Sequence, residues 1–231
     1  MKKFIITVLA SVLLSTTAFA GSLQVGTKIS QAFIEADGTE KTTAGTVTGG
    51  AVNTNSTSVD NDVVLGSLYA EYSLGSDMWG QEGNEITFGA NYTFGEADVS
   101  DKLSSRSETA EDAAGSGSTG SVTYTANAEV HDYVNYYVEM PLQGSLYVKL
   151  GMSQVDVITK EDADHHGSYG DTTLDGMNYG VGMKGLYGPL QLKLAYEVTD
   201  WDGLSLTSTT SNKITADLDY SELALSVGYR F

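Results

Sequence analysis

The residues of this sequence best suited to chemistry lie in one short string, "KEDADHHGSYGD" from Lys160 to Asp171, where His165 and His166 sit among Asp162, Asp164 and Asp171. Imidazole and carboxylate are both metal ligands. The order Asp162-x-Asp164-x-His166-Gly167 begins as a calcium loop does, but its twelfth position is Thr173, where such a loop needs a bidentate Glu. The spacing leaves Asp162, Asp164 and His166 as weak metal candidates, and the string reads better as a solvated acidic loop. No metal or other cofactor is expected.

Nucleophilic catalysis finds no better footing. The remaining histidine, His131, has Tyr133 as the next residue on its own strand face and no Ser directly beside it, so no Ser–His pair forms. The chain has no Cys, which excludes thiol catalysis, disulfides and zinc fingers. "GSGSTG", Gly115 to Gly120, is a flexible linker by composition, because no helix follows to make it a phosphate cradle. The residues indicate no enzyme.

The elements that must position the other charged residues are more informative. Lys2-Lys3, an apolar run from Phe4 to Leu14 and the Ala18-Phe-Ala20 site form a cleavable signal peptide over 1–20, too short to span a bilayer as a helix. The mature chain, 21–231, then carries 10 basic against 30 acidic residues, which argues against nucleic acid as a partner. It also alternates. Apolar residues recur with a period of two in eight stretches, as in Ile86, Phe88, Ala90, Tyr92 and Phe94, or Leu190, Leu192, Leu194, Tyr196 and Val198. A longer stretch from Val122 to Met140 places Val122, Tyr124, Ala126, Ala128, Val130, Val134, Tyr136 and Val138 on one face, opposite Glu129, His131 and Glu139.

Short links around 75–83, 141–144 and 187–189 alternate with long polar links at 36–62, 96–121, 159–172 and 200–216. That asymmetry predicts an all-β fold, an eight-stranded antiparallel up-and-down transmembrane barrel with long outer loops and both termini periplasmic. A ten-stranded count stays open if part of the first long link enters the membrane. A soluble lipocalin-like barrel would instead turn its apolar residues inward. Against that, the opposite face carries Lys28, Glu71, Glu85, Glu129, Lys149, Lys184, Lys193, Glu197, Glu222 and Arg230, and both faces cannot be watery.

The ending "LALSVGYRF" and the pair "GMNYGVGMKGLYGPLQLKLAYEVTDWD" from Gly176 to Asp202 resemble the last hairpins of small outer-membrane barrels of the opacity-protein, porin-like and OmpA-barrel group. The resemblance implies a Gram-negative outer membrane and contact with its lipids. It also implies recognition by the barrel-assembly machinery through Phe231, with Tyr229 two places before it.

Eight strands enclose a space that side chains can fill. The inward charges allow two readings: a plug of ion pairs among Lys149, Lys184, Lys193, Arg230, Glu71, Glu197 and Glu222, or a wet lumen that screens them all. The outer loops, acidic and poor in apolar residues, are expected to be mobile. Three roles therefore remain: a structural or surface-interaction barrel with an unidentified surface ligand, a narrow passive pore for small solutes or a lateral path for hydrophobic ones, and, distantly, an enzyme.

Overall fold

The computed structural model describes residues 21–41, 54–74, 85–100, 104–110, 120–161, 168–209 and 211–231. The expected signal peptide, the first short link and the candidates Asp162, Asp164 and His166 lie outside the described residues.

Valine, tyrosine, threonine and leucine alternating with polar residues favour extended backbone over helix, and the described residues form ten strands. They are β1 (Gly21–Lys41), β2 (Thr54–Leu74), β3 (Ile86–Asp98), β4 (Ser104–Ala110), β5 (Gly120–Pro141), β6 (Leu146–Glu161), β7 (Thr172–Tyr187), β8 (Leu190–Trp201), β9 (Leu204–Thr207) and β10 (Lys213–Arg230). Eight of them pair antiparallel in the order β1-β2-β3-β5-β6-β7-β8-β10, and β10 returns to β1, so the sheet closes on itself. Closure removes every edge from the ring.

The two extra strands are not wall strands. β4 pairs only with the start of β5, and β9 only with the start of β10. At the opposite end the links are tight: Tyr187 faces Leu190 across a two-residue turn, with Gly188 at a φ of 60° as a II′ hairpin requires. Phe231 donates its backbone N–H to Leu23 O at 2.8 Å, so the described chain begins and ends at this short-turn end.

Strand length departs from expectation. β1 and β2 are 21 residues each and stay in register from Gly21↔Leu74 up to Lys41↔Thr54. A tilted membrane strand needs only about 9–11 residues. Half of the hairpin therefore stands above the apolar band, and residues 36–41 and 54–62, read from their polarity as loop, are hydrogen-bonded strand. Ladder hydrogen bonds need no apolar face, so alternation of hydrophobicity could not mark them.

A second departure lies in the wall between β3 and β5. The β3–β5 register shifts between Thr93 and Glu96 and the β5–β6 register between His131 and Val134, with Gly95 at φ 103° and Asp132 at φ 51°. The extra residue inverts the side-chain phase of β5, whereas β3 keeps its own, with Ala97 buried on the same face as Thr93. Ala128 and Val130 consequently pack inward, while Glu129 and His131 face outward beside Glu96. The single apolar face drawn from Val122 to Val138, with Glu129 and His131 in the lumen, is corrected accordingly.

Candidate functional site

Outside, Ile29, Leu68, Phe88, Leu150, Met177, Val181, Leu192, Leu194, Leu223 and Leu225 are all exposed, from strands all around the ring. Inside at the same levels lie buried Lys28, Glu71, Glu139, Lys149, Lys193, Glu197 and Glu222. A protein with greasy surface and charged interior is stable only where the surrounding solvent is hydrocarbon. Among the described residues Tyr187 and Phe231 are the most exposed aromatics at the short-turn end, and Phe231 packs edge-on against Tyr229 with ring centroids 5.0 Å apart. Phe33 and Phe94 are exposed towards the long-loop end. This is the aromatic edging of a bilayer-spanning band.

The interior is layered. At the short-turn mouth Arg230 Nη2 lies 2.5 Å from Glu85 Oε1, and the Gln24 amide donates to the Tyr69 hydroxyl at 2.8 Å. Above them is the charged layer. Lys193 Nζ donates to Glu71 Oε1 at 2.5 Å and to Glu139 Oε1 at 2.7 Å; Lys184 Nζ reaches Glu139 Oε2 at 3.4 Å. Lys149 donates to Glu197 at 2.7 Å and Lys28 to Glu222 at 2.5 Å. The Tyr137 hydroxyl adds a bond to Glu71 at 2.6 Å, and the Lys149 ammonium sits 3.8 Å from the centroid of the same ring.

The register explains this topology of pairs. Lys184 is directly opposite Lys193, and Glu197 directly opposite Glu222. Like charges facing each other across a ladder repel. Each couple is relieved from other strands, the lysines by the shared Glu139 of β5, the glutamates separately by Lys149 of β6 and by Lys28 of the adjoining β1. Except for Lys28–Glu222, which joins the neighbouring β1 and β10, the ions tie together strands that are not neighbours in the wall.

Room for this comes from glycine. Gly26, Gly89 and Gly182 each stand directly opposite an inward tyrosine, Tyr69, Tyr137 and Tyr147. A Cβ on Gly89 would lie 2.4 Å from Tyr137 Cζ, and one on Gly182 would lie 2.5 Å from Tyr147 Cζ. The rings lie where glycine leaves the wall bare, and so fill the bore.

Next comes a neutral layer, in which Asn135 donates to Asn178 at 2.9 Å, Asn178 to Thr199 at 3.1 Å, and the Tyr133 hydroxyl lies 3.2 Å from both Ser153 and Thr199. The long-loop end is capped by an apolar cluster of Ile34, Ala97, Val155, Val157, Leu174 and Trp201 around Tyr133 and Tyr220. It leaves a cavity of about 30 Å³, the space of a water or two.

The seven residues that sequence analysis singled out for the lumen occupy three different settings. Lys193 bridges Glu71 and Glu139, and Glu139 also reaches Lys184; Lys149–Glu197 and Lys28–Glu222 are separate pairs; Arg230 stands apart at the mouth with Glu85. Glu139, Lys28 and the three tyrosines were missing from that set. Tyrosine on the polar phase, with glycine on a neighbouring strand, was the available signal.

Closed ring, apolar exterior and charged interior define a transmembrane β-barrel of the outer-membrane type. No protein-family model matches this chain, and no curated protein sequence does. Among solved structures it is similar to Neisserial surface protein A, at 13% identity and a TM-score of 0.43 over 92% of this chain and 99% of that one. It is similar to Ail, the attachment invasion locus protein of Yersinia pestis, at 13% identity and 0.42 over 91% and 97%. It also resembles the outer membrane protease OmpT from Escherichia coli, at 9% identity and 0.44 over 94% and 100%.

Proposed function

We propose that this chain is an integral outer-membrane protein of structural or surface-interaction role, with its lumen sealed by ion pairs and both termini on the periplasmic side. The observation that carries the reading is the charged layer, where each lysine is bonded to a glutamate of another strand and tyrosine rings occupy the space between. A layer so filled leaves no continuous water column. What the protein presents to the outside is then its wall above the band and its acidic loops, which meet an unidentified surface ligand. Phe231 and Tyr229, at the end of β10, serve as the address read by the assembly machinery, since a terminal strand is the natural handle for strand addition.

A second reading, passage of small hydrophobic solutes, is favoured by one feature, the apolar lining of the long-loop mouth. The small cavity there admits nothing larger than water unless the wall moves, which ranks it second.

Conductance of the purified barrel in a planar bilayer tests the first reading. The sealed lumen predicts a baseline without steps in 1 M KCl, and steady open-channel current would overturn it.

A further inference from the structure

The bulge in β5 brings three metal-ligating side chains together on the outer face of the wall, and nothing in the lumen explains them. Glu96 on β3 and His131 on β5 are direct cross-strand partners, and Glu129 lies two residues before His131 on the same outward face. His131 Nε2 is 3.1 Å from Glu129 Oε2 and 3.7 Å from Glu96 Oε2, and one ligand atom of each residue falls within 4.8 Å of the other two. Ligands held at about 2.0–2.2 Å by a tetrahedral ion are separated by roughly 3.3 Å. The observed spacings bracket that figure.

The surroundings favour a cation. Register places Asp98 beside Glu129 and Asp156 beside His131, so four carboxylates gather around one imidazole. The facing ammonium is Lys160, which contacts Glu129 Oε1 and leaves Oε2, the atom turned towards His131, for a ligand role. Asp98 and Asp156 are engaged elsewhere, accepting from Asn127 Nδ2 at 3.1 Å and Thr173 Oγ1 at 2.7 Å. That leaves Glu96, Glu129 and His131 as the ligand set, with Lys160 orienting Glu129 from behind, as outer-shell partners do at metal sites. Glu129 is nearly buried while Glu96 is largely exposed, so the site has a fixed floor and an open side.

We propose that Glu96, Glu129 and His131 bind a divalent first-row transition ion, zinc by preference, through one imidazole nitrogen and two carboxylate oxygens. The fourth position is open to water, just above the apolar band. Imidazole with carboxylate selects such ions over calcium or magnesium, which take oxygen alone. Bound there, the ion would clamp β3 to β5 across the bulge, where the ladder is interrupted.

The test uses the full mature barrel folded in detergent micelles, titrated with zinc chloride in a calorimeter. The chain has three histidines, of which His165 and His166 belong to the acidic string, so the variants separate the two places. One zinc per chain is expected, retained in H165A/H166A and weakened at least tenfold in both H131A and E96Q. E96Q alters a largely exposed carboxylate and so reads the site without disturbing the wall. Absence of saturable binding in the wild type would overturn the assignment, as would binding unchanged in H131A or abolished in H165A/H166A.

Discussion

Replacing Glu139 by Gln removes one negative charge at the point where two lysines converge. Lys193 would keep Glu71 at 2.5 Å, but Lys184, whose side chain is 5% exposed, would lose its carboxylate partner and face Lys193 directly across the ladder. Breaking a buried pair from one side costs about 3–5 kcal/mol, because the remaining charge stays desolvated. Lys193's retained partner sets the expectation at the lower end, about 3 kcal/mol, which is more than a hundredfold in the folding equilibrium. Urea-dependent folding into lipid vesicles, followed by tryptophan fluorescence and by heat-modifiable mobility on gels, measures it. The companion variant Lys184→Met in the Glu139→Gln background should recover part of the loss, since it removes the orphaned ammonium. A cost of E139Q below about 0.5 kcal/mol, the range of a solvent-screened pair, would refute the reasoning and mean that water fills the bore.

Three further outcomes follow from the same geometry. Tyr137→Phe deletes the 2.6 Å bond to Glu71 and should destabilise by about 1.5–3 kcal/mol, as expected for a hydrogen bond to a charged group, in the same urea assay. Gly182→Ala puts a methyl group against the Tyr147 ring and 2.8 Å from Leu194 O; a loss of about 1–3 kcal/mol is expected from overpacking, and Tyr147→Phe, which only removes the hydroxyl, should restore part of it. Leu192→Arg, on the exposed face of β8, should cost about 2–4 kcal/mol in a bilayer if it lies near the midplane, against little change for the same substitution at Asp200 above the band.

The lower half of this barrel was legible because each residue there has one of two solvents to satisfy, hydrocarbon or a packed polar bore, and the chain spells the choice at every second position. β8 shows it without exception from Leu190 to Val198. Legibility fails where that constraint ends. Above the band β1 and β2 are mostly polar on both faces, Ala36 and Val59 excepted, so Glu35 to Lys41 carries no alternation to mark its pairing with Thr54 to Asp60. At the bulge one added residue reverses the phase of β5, and its sequence mark is faint: an aspartate at 132, one of the few side chains that tolerate positive φ. Which lysine meets which glutamate was equally hidden, because this depends on register around a closed ring. Lys28 and Glu222 lie 194 residues apart, and no local pattern joins them.

The account turns on which face of the wall meets lipid. The chain contains no Cys, so single cysteines along β8 can be nitroxide-labelled one at a time and their accessibility to oxygen and to a polar nickel complex read by electron paramagnetic resonance in vesicles. Labels at 190, 192, 194 and 196 should be oxygen-accessible and nickel-protected, and those at 191, 193, 195 and 197 should be shielded from oxygen, a strict period of two. The opposite phase, with oxygen reaching 193 and 195 but not 192 and 194, or no periodicity at all, would contradict it.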